Sequence, residues 1–462
     1  MNKISFVILI IIQILSLSLN DDQINLEIYR SKSHEDQTGT KTPLIVSLSS
    51  EDKNEKVKGV DLILIIDDSG SMYSDNKINM VKESLKILIN QMNANDNLAI
   101  IKFTQYVKVI QDFTEMTEEN KKISIDNIEN SIEGGGTDIY LGLSKALELL
   151  KKDYSDGNRI ASMILLSDGE DYHDVDTKFK NLISSSNKNN YIFTLHTFGY
   201  GEGHDSDLMN RISKIRDGGY FFIRELSKVK SAFAEIYSSL STILSVNVQI
   251  KIESQFPIEI LGIEDMYNKK MTNEKPYIFT TELIQFVYGK KYAFITLVDI
   301  PVDIEENSEI IKVTIQPFEI TKIYKYNKYL SPYAYEEYIR AISFNFFSKC
   351  YEEGVNSGIG IIKEAIAWLK QSYEGIVNWL EQYEDILNDL NNYETYGKAN
   401  LLSKIRELKT QKPGIHYSDE NSYQRKLIDQ SHNIDINNLP IMSITEEKTL
   451  IIANNINYYY FF

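Results

Sequence analysis

The chain predicts an α/β fold: a doubly wound, mostly parallel sheet with a flanking β-sandwich and a C-terminal helical region. Three observations carry this expectation. Between Val60 and Leu244, short runs that are apolar throughout alternate with segments whose apolar residues recur at helical spacing. That is the pattern of parallel strands covered by helices on both faces. Two of these runs break abruptly into acid, hydroxyl and glycine, at LILIIDDSGSM (62–72) and ASMILLSDGED (161–171). On either side of the unit the apolar period shortens to two, which suits half-buried antiparallel strands.

Taken in order, the chain opens MNKISFVILIIIQILSLSLNDD, with Lys3 and then no charge until Asp21. Residues 1–20 are expected to be a secretory signal peptide, with Ser16 and Ser18 near the cleavage point. A retained signal anchor is the alternative, because the apolar run approaches the ~18 residues of a membrane span. Either places the bulk of the chain in the secretory lumen or outside the cell. INLEIY (24–29) and PLIVSL (43–48) alternate, as do Val248, Ile250 and Ile252, then Tyr277–Thr280, Tyr292–Leu297 and Ile311–Ile315. Residues 21–58 and 245–330 are therefore expected to form one β-sandwich into which the unit at 59–244 is inserted.

Within that unit LILII (62–66) reads as a strand, and Ile78, Val81, Leu85, Leu88, Ile89 and Met92 mark one face of the following helix. LAIIKF (98–103) and YVKVIQDF (106–113) read as a hairpin-like pair, followed by a helix through Ile125, Ile128 and Ile132. The glycine-rich EGGGTD (133–138) enters a helix using Ile139, Leu143, Ala146, Leu147 and Leu150. ASMILL, YIFTLHTF and YFFI supply further strands, with helices at DLMNRISKI (207–215) and from Val229 to Leu244. After Pro332 the spacing is helical through to about residue 410, and the tail at 411–462, ending NYYYFF, is expected to pack back on the body.

A length of 462 residues suffices for two or three domains with sizeable cores. A net charge of −17 argues against nucleic acid and anionic membrane surfaces, which need clustered Lys and Arg. Cys350 is the one cysteine, so no intrachain disulfide forms. No Asn-x-Ser/Thr sequon occurs, despite the abundance of Asn.

The polar clusters collect at the carboxyl edge of the expected sheet, where open α/β sheets bind ligands. Asp67, Ser69, Ser71, Thr137 and Asp168 all offer hard oxygens, which suit Mg²⁺, or Mn²⁺ or Ca²⁺. Gly70 lets Ser69 and Ser71 turn towards one point. Hydroxyls and waters leave a bound cation electrophilic, with a position for an outside carboxylate, a Glu or Asp of a protein partner. Repulsion from the net charge is screened over ~8 Å, so such a short-range attraction can prevail. Each cluster alone also has a plainer reading: a helix N-cap for Asp-x-Ser-x-Ser, and turns for the glycine-rich and Ser-Asp-Gly segments. Their joint order in one α/β alternation favours the cation site.

DDSGSM, GGGTDIYLGL and ILLSDGED, in this order and spacing, resemble the von Willebrand factor type A domain and its metal-ion-dependent adhesion site, over about residues 59–244. The resemblance implies Ser69, Ser71 and Thr137 as hydroxyl ligands, with Asp67 and Asp168 coordinating directly or through water. It also implies a closing helix (229–244) that slides when ligand binds. TFGYGEGHDSDLMNRISKIRDGGYFFI (197–223), NYETYGKANLLSKI (392–405) and SYQRKLI (422–428) are similar to a subgroup carrying an associated C-terminal domain. Plant members of that subgroup add a RING finger; this chain has no Cys/His array for one.

The expected function is thus non-enzymatic capture of a protein partner. A cytosolic scaffold of a ubiquitin-ligase-like assembly is the alternative, and metal-assisted hydrolysis using His173 or His204 the least favoured. Ser69 stands where a dehalogenase-type phosphatase needs a second Asp, and neither a Gly-x-Ser-x-Gly elbow nor a Walker loop occurs. Both histidines read as loose surface residues.

Overall fold

A computed structural model describes residues 24–410, apart from 33–40, 52–58, 130–134, 151–159, 172, 187–190, 203, 224–225, 263–267, 370–373 and 390–391. The expected signal sequence (1–20) and packed tail (411–462) lie outside the described residues.

Strand β3 (Val60–Asp67) is buried along its whole length and pairs in parallel with β4 (Asn97–Phe103) and β6 (Ile160–Ser167). Further parallel pairing adds β7 (Phe193–Tyr200) and β8 (Tyr220–Ile223), and β5 (Val107–Glu115) runs antiparallel beside β4. The order is β5-β4-β3-β6-β7-β8. Alternate residues of β3 serve two cores. Ile63 and Ile65 pack with Phe103 and Leu165 beneath α3 (Ile139–Leu149), α4 (Val175–Ser185) and α5 (Ser206–Ser213). Leu62, Leu64 and Ile66 pack with Ile100 and Leu166 beneath α1 (Lys77–Gln91), α2 (Glu118–Glu129) and α6 (Leu226–Ser241). Two-sided burial is why these strands read as unbroken apolar runs. The chain leaves β3 for β4 on one side and later returns to β6 on the other, so the topological switch lies between β3 and β6.

The flanking strands form two antiparallel sheets. One holds β1 (Ile24–Arg30), β2 (Lys41–Ser50), β13 (Lys291–Asp299) and β10 (Ile258–Ile260). The other holds β11 (Lys270–Met271), β12 (Tyr277–Val287), β9 (Ile243–Ser254), β14 (Glu309–Gln316) and β15 (Ile320–Lys325). Leu44, Val46 and Leu48 from β2 face Val248, Ile250 and Ile252 from β9 across the core between them. β2 precedes the α/β unit and pairs with β13 after it, with Ile45 opposite Ile295.

Helix α7 (Pro332–Leu369) begins on a proline, whose fixed φ and missing N–H suit a first helical position, and it breaks at Gly354, where φ is 79°. Its Tyr338 and Ile342 pack with Ile45 and Ile295 on the outer face of the β2 sheet. α8 (Glu374–Asn388) and α9 (Lys398–Thr410) complete the helical region. Arg406 of α9 lies 4.0 Å above the Phe221 ring and pairs with Glu235 of α6 at 2.8 Å. Asp207 of α5 takes both Lys398 and Tyr351. The helical region is thereby held to the α/β unit by its own charged groups. Among the described residues no helix is long and apolar enough to cross a membrane.

A cavity of about 240 Å³ lies where the three regions meet, lined in part by His196, Gln285, Phe344 and Arg406. Burial, then the charges of Arg406 and Lys290, push His196 down to about 3. Its Nδ1 accepts the Gly219 N–H at 3.0 Å, which fits a neutral ring. Burial likewise lowers His204 to about 4. Both folded values lie below that of an unfolded histidine, so the stability from these neutral rings is present above pH 6.5 and is lost as pH falls. Each is expected to cost about 2 kcal/mol between pH 7 and pH 5. Urea unfolding at the two pH values checks this: His196→Gln should flatten the loss, and a pH-independent wild type would contradict it.

Candidate functional site

The C-terminal ends of β3 and β6 meet at the topological switch. Asp67 closes β3 with its carboxylate fully buried. Oδ1 accepts the Ser69 N–H at 3.0 Å, and Oδ2 accepts the Ser167 hydroxyl at 2.5 Å. Burial raises Asp67 to about 6; hydrogen bonds from Ser167 and Ser69 oppose the rise, and the charge of Asp168 adds a smaller upward push. Ser167 Oγ also accepts the Gly169 N–H at 2.9 Å, so one hydroxyl joins the two strand ends.

Beyond Asp67 the chain turns at once. Asp68 faces elsewhere, its N–H on the Phe103 carbonyl at 2.9 Å and its side chain accepting the Tyr73 hydroxyl at 2.9 Å. A 3₁₀ helix over Gly70–Asn76 brings Ser69 Oγ and Ser71 Oγ within 3.2 Å of each other. Ser69 makes no side-chain capping bond, so its hydroxyl is not spent on a helix end as the plainer reading would have it.

The loop before α3 is held against this turn. The Gly135 carbonyl would lie 3.4 Å from a Cβ on Gly70, a close approach that a small residue permits. Gly136 N–H donates to Gln105 Oε1 at 3.0 Å, and Asp138 N–H to the Thr104 carbonyl at 3.0 Å. Ile139 N–H donates to Asp171 Oδ2 at 2.8 Å, which ties the loop to the segment after β6. Thr137 sits half-buried between these anchors.

Asp168 is fully buried. Its Oδ2 accepts the Lys77 ammonium at 2.9 Å, while Oδ1, also out of contact with solvent, has no hydrogen-bond partner. The five residues singled out by sequence thus fall on three adjoining loops. Asp67 bonds Ser69 directly and reaches the Asp168 segment through Ser167; Thr137 approaches through Gly135 and Gly70.

Three participants were not singled out. Ser167 adjoins Asp168 in sequence but reads there as part of a turn. Asp171 is one more acid in SDGED. Lys77 begins an amphipathic helix, where a lysine reads as solvated. The histidines also differ from expectation. His204 is buried, its Nε2 2.6 Å from the Tyr220 hydroxyl and its ring stacked on Phe222, so it is not a surface residue. His173 is exposed but pairs with Asp171 at 2.6 Å. Among the described residues no three His, Cys, Asp or Glu side chains group as metal ligands, so any cation here would rest on hydroxyls beside the two carboxylates.

Residues 61–235 match the sequence profile of the von Willebrand factor type A domain. This chain carries a type A domain. The "Uncharacterized protein YfbK" of Escherichia coli is 26% identical over 212 residues, covering 45% of this chain and 36% of that protein. Human "Inter-alpha-trypsin inhibitor heavy chain H2" is 27% identical over 195 residues, 41% of this chain and 20% of that one. The chain therefore spans well under half the length of either relative. The likeness in structure reaches further. A "von Willebrand factor type A from Catenulispora acidiphila" superposes with a TM-score of 0.59 over 84% of this chain and 97% of its own, at 14% identity. At that identity the match establishes the fold, and its coverage takes in regions outside the type A domain.

Ser167→Ala tests the compensation around Asp67. Without the hydroxyl, the buried carboxylate and the Gly169 N–H both lose a partner, at a cost of about 1.5–3 kcal/mol at pH 7.5 in EDTA. The variant's deficit should shrink at pH 5, where Asp67 is largely protonated. Equal deficits by urea unfolding at both pH values would count against it.

Proposed function

We propose that the type A domain binds a divalent cation, Mg²⁺ or else Mn²⁺ or Ca²⁺, and through it a Glu or Asp carboxylate of a protein partner. The single observation carrying this is Asp168 Oδ1, a buried carboxylate oxygen without a hydrogen bond, beside Asp67 and two adjacent serine hydroxyls. Leaving such an oxygen unpartnered costs free energy that a cation would recover. The donor chemistry fits: oxygen only, few carboxylates and several hydroxyls, which favours Mg²⁺ over the larger, more carboxylate-demanding Ca²⁺.

Ser69, Ser71 and Thr137 would hold the cation by their hydroxyls, with Asp67 and Asp168 binding directly or orienting water. The bound cation would supply a Lewis-acidic position for an incoming carboxylate. Ser167 holds Asp67 in place; the Gly136 and Asp138 N–H groups hold the Thr137 loop to the Thr104–Gln105 turn, and the Ile139 N–H holds it to Asp171. Domains of this type commonly serve protein interaction, which agrees with capture rather than turnover. His204, whose two ring nitrogens are engaged by Gly201 and Tyr220, is poorly placed to be a general base. The apolar run at residues 1–20 supports a secretory or extracellular setting for this capture; on that reading, deleting residues 1–20 should leave the protein in the cytosol.

Calorimetric titration of the purified protein with Mg²⁺ and Mn²⁺ should show saturable binding, weakened at least about tenfold in Asp67→Ala and Thr137→Ala. Partners retained on the immobilised protein in Mg²⁺ should elute with EDTA. A folded sample with no affinity for either cation would refute the proposal.

A further inference from the structure

Lys77 is a buried ammonium at the centre of the site, and nothing in the function proposed above accounts for it. Its Nζ donates to Asp168 Oδ2 at 2.9 Å, with its side chain only 7% exposed. Its position runs against two ordinary preferences. It is the first residue of α1, where the helix macrodipole favours anions over cations. It is also a lysine buried almost completely, which is rare without a dedicated partner.

The surrounding fold makes room for it. The chain reaches Lys77 through Asp75 and Asn76, both with positive φ, which redirects α1 towards the strand ends. The Lys77 stem then lies against Gly201, where φ is +84°; a Cβ there would come within 2.8 Å of Lys77 Cε. The ammonium engages one Asp168 oxygen and leaves the other, Oδ1, unpartnered. Lys77 can therefore set both the charge and the orientation of Asp168 without covering its other oxygen.

The consequence is a matter of charge. Asp67 and Asp168 carry two negative charges and Lys77 returns one positive, leaving the centre at −1. Asp68 is turned away to the Tyr73 hydroxyl and has its own counter-charge in the Lys102 ammonium, and burial keeps His204 neutral nearby. A dication entering a −1 centre produces a net +1, which an incoming carboxylate neutralises. Without Lys77 the dication alone would neutralise the centre, and a carboxylate would then leave it negative. At such separations in a buried site, one unit charge shifts dication affinity by far more than thermal energy.

We propose that Lys77 is a charge-setting residue that makes cation and carboxylate binding mutually dependent: each ligand alone binds weakly, and each strengthens the other. By thermodynamic linkage the enhancement is the same in both directions. This rests on the cation-site reading given above and adds its regulation. The protein would then hold its cation firmly only while a partner's acidic side chain completes the site, so release of one releases both.

The test is Mn²⁺ titration, read by electron paramagnetic resonance of the free ion, with acetate as the carboxylate probe and acetamide as its uncharged counterpart. In the wild type, saturating acetate should tighten Mn²⁺ binding several-fold and acetamide should not. In Lys77→Met, Mn²⁺ affinity without acetate should rise at least about tenfold, and the acetate enhancement should fall below about twofold. Lys77→Arg should keep the wild-type dependence. Unchanged or weaker Mn²⁺ binding by a folded Lys77→Met, judged by circular dichroism and melting, would overturn the proposal while leaving the cation site intact. If Lys77→Met does not fold, the wild type still decides: equal effects of acetate and acetamide would overturn the coupling. A wild type that binds no Mn²⁺ under any condition would instead overturn the cation site, and this proposal with it.

Discussion

Two carboxylates buried side by side at the ends of neighbouring parallel strands impose the constraint from which most of this structure follows. Removing a carboxylate from water is expensive unless hydrogen bonds or opposite charge offset the loss. Asp67 is met by Ser167 and by the Ser69 backbone; Asp168 is met by Lys77 on one oxygen only. Compensation is thus incomplete, and it is incomplete at one atom. Structural ion pairs do not usually leave a buried oxygen bare, whereas a binding site must keep one ready for its ligand.

The topology explains why these groups meet at all. In a doubly wound sheet the crevice opens where successive strands depart to opposite sides. Here that point lies between β3 and β6, which carry Asp67 and Ser167–Asp168, and the loop before α3 closes over it. The Gly135 carbonyl lies at contact distance from Gly70, and Gly201 combines a positive φ with the Lys77 stem crossing it. Gly201 is thus a consequence of close approach around the site and not a sign of a pliable surface.

Outside the type A domain, the remaining chain forms a brace. The sandwich receives the domain between β2 and β9, and α7 packs the outer face of the β2 sheet onto the core it shares with the domain. α9 returns to the domain through Arg406 on Phe221 and Glu235, and through Lys398 on Asp207. Helix α6, which carries Glu235, is therefore gripped by the helical region as well as by the sheet. Any shift of that helix away from Arg406 would have to break a half-buried ion pair, which makes the brace part of the energetics of the domain.

Much of this was legible in one dimension, for identifiable reasons. Local patterning is read directly from sequence: unbroken apolar strands report two-sided burial, period two reports the sandwich, and Pro332 marks a helix start. The oxygen-bearing residues were also legible, because each ends a patterned segment and only a few side-chain types can serve a hard cation. What sequence could not supply were relations between distant segments. The pairing of β2 with β13 spans the whole inserted domain, and no local feature encodes it. Nothing in the sequence marked Lys77 as buried, and His204 read as a loose surface residue, because burial is a property of the assembled neighbours. Only when Gly201, Asp168 and Tyr220 converge does a lysine become an internal counter-charge and a histidine a neutral spacer, since desolvation and charge pairing exist only in three dimensions.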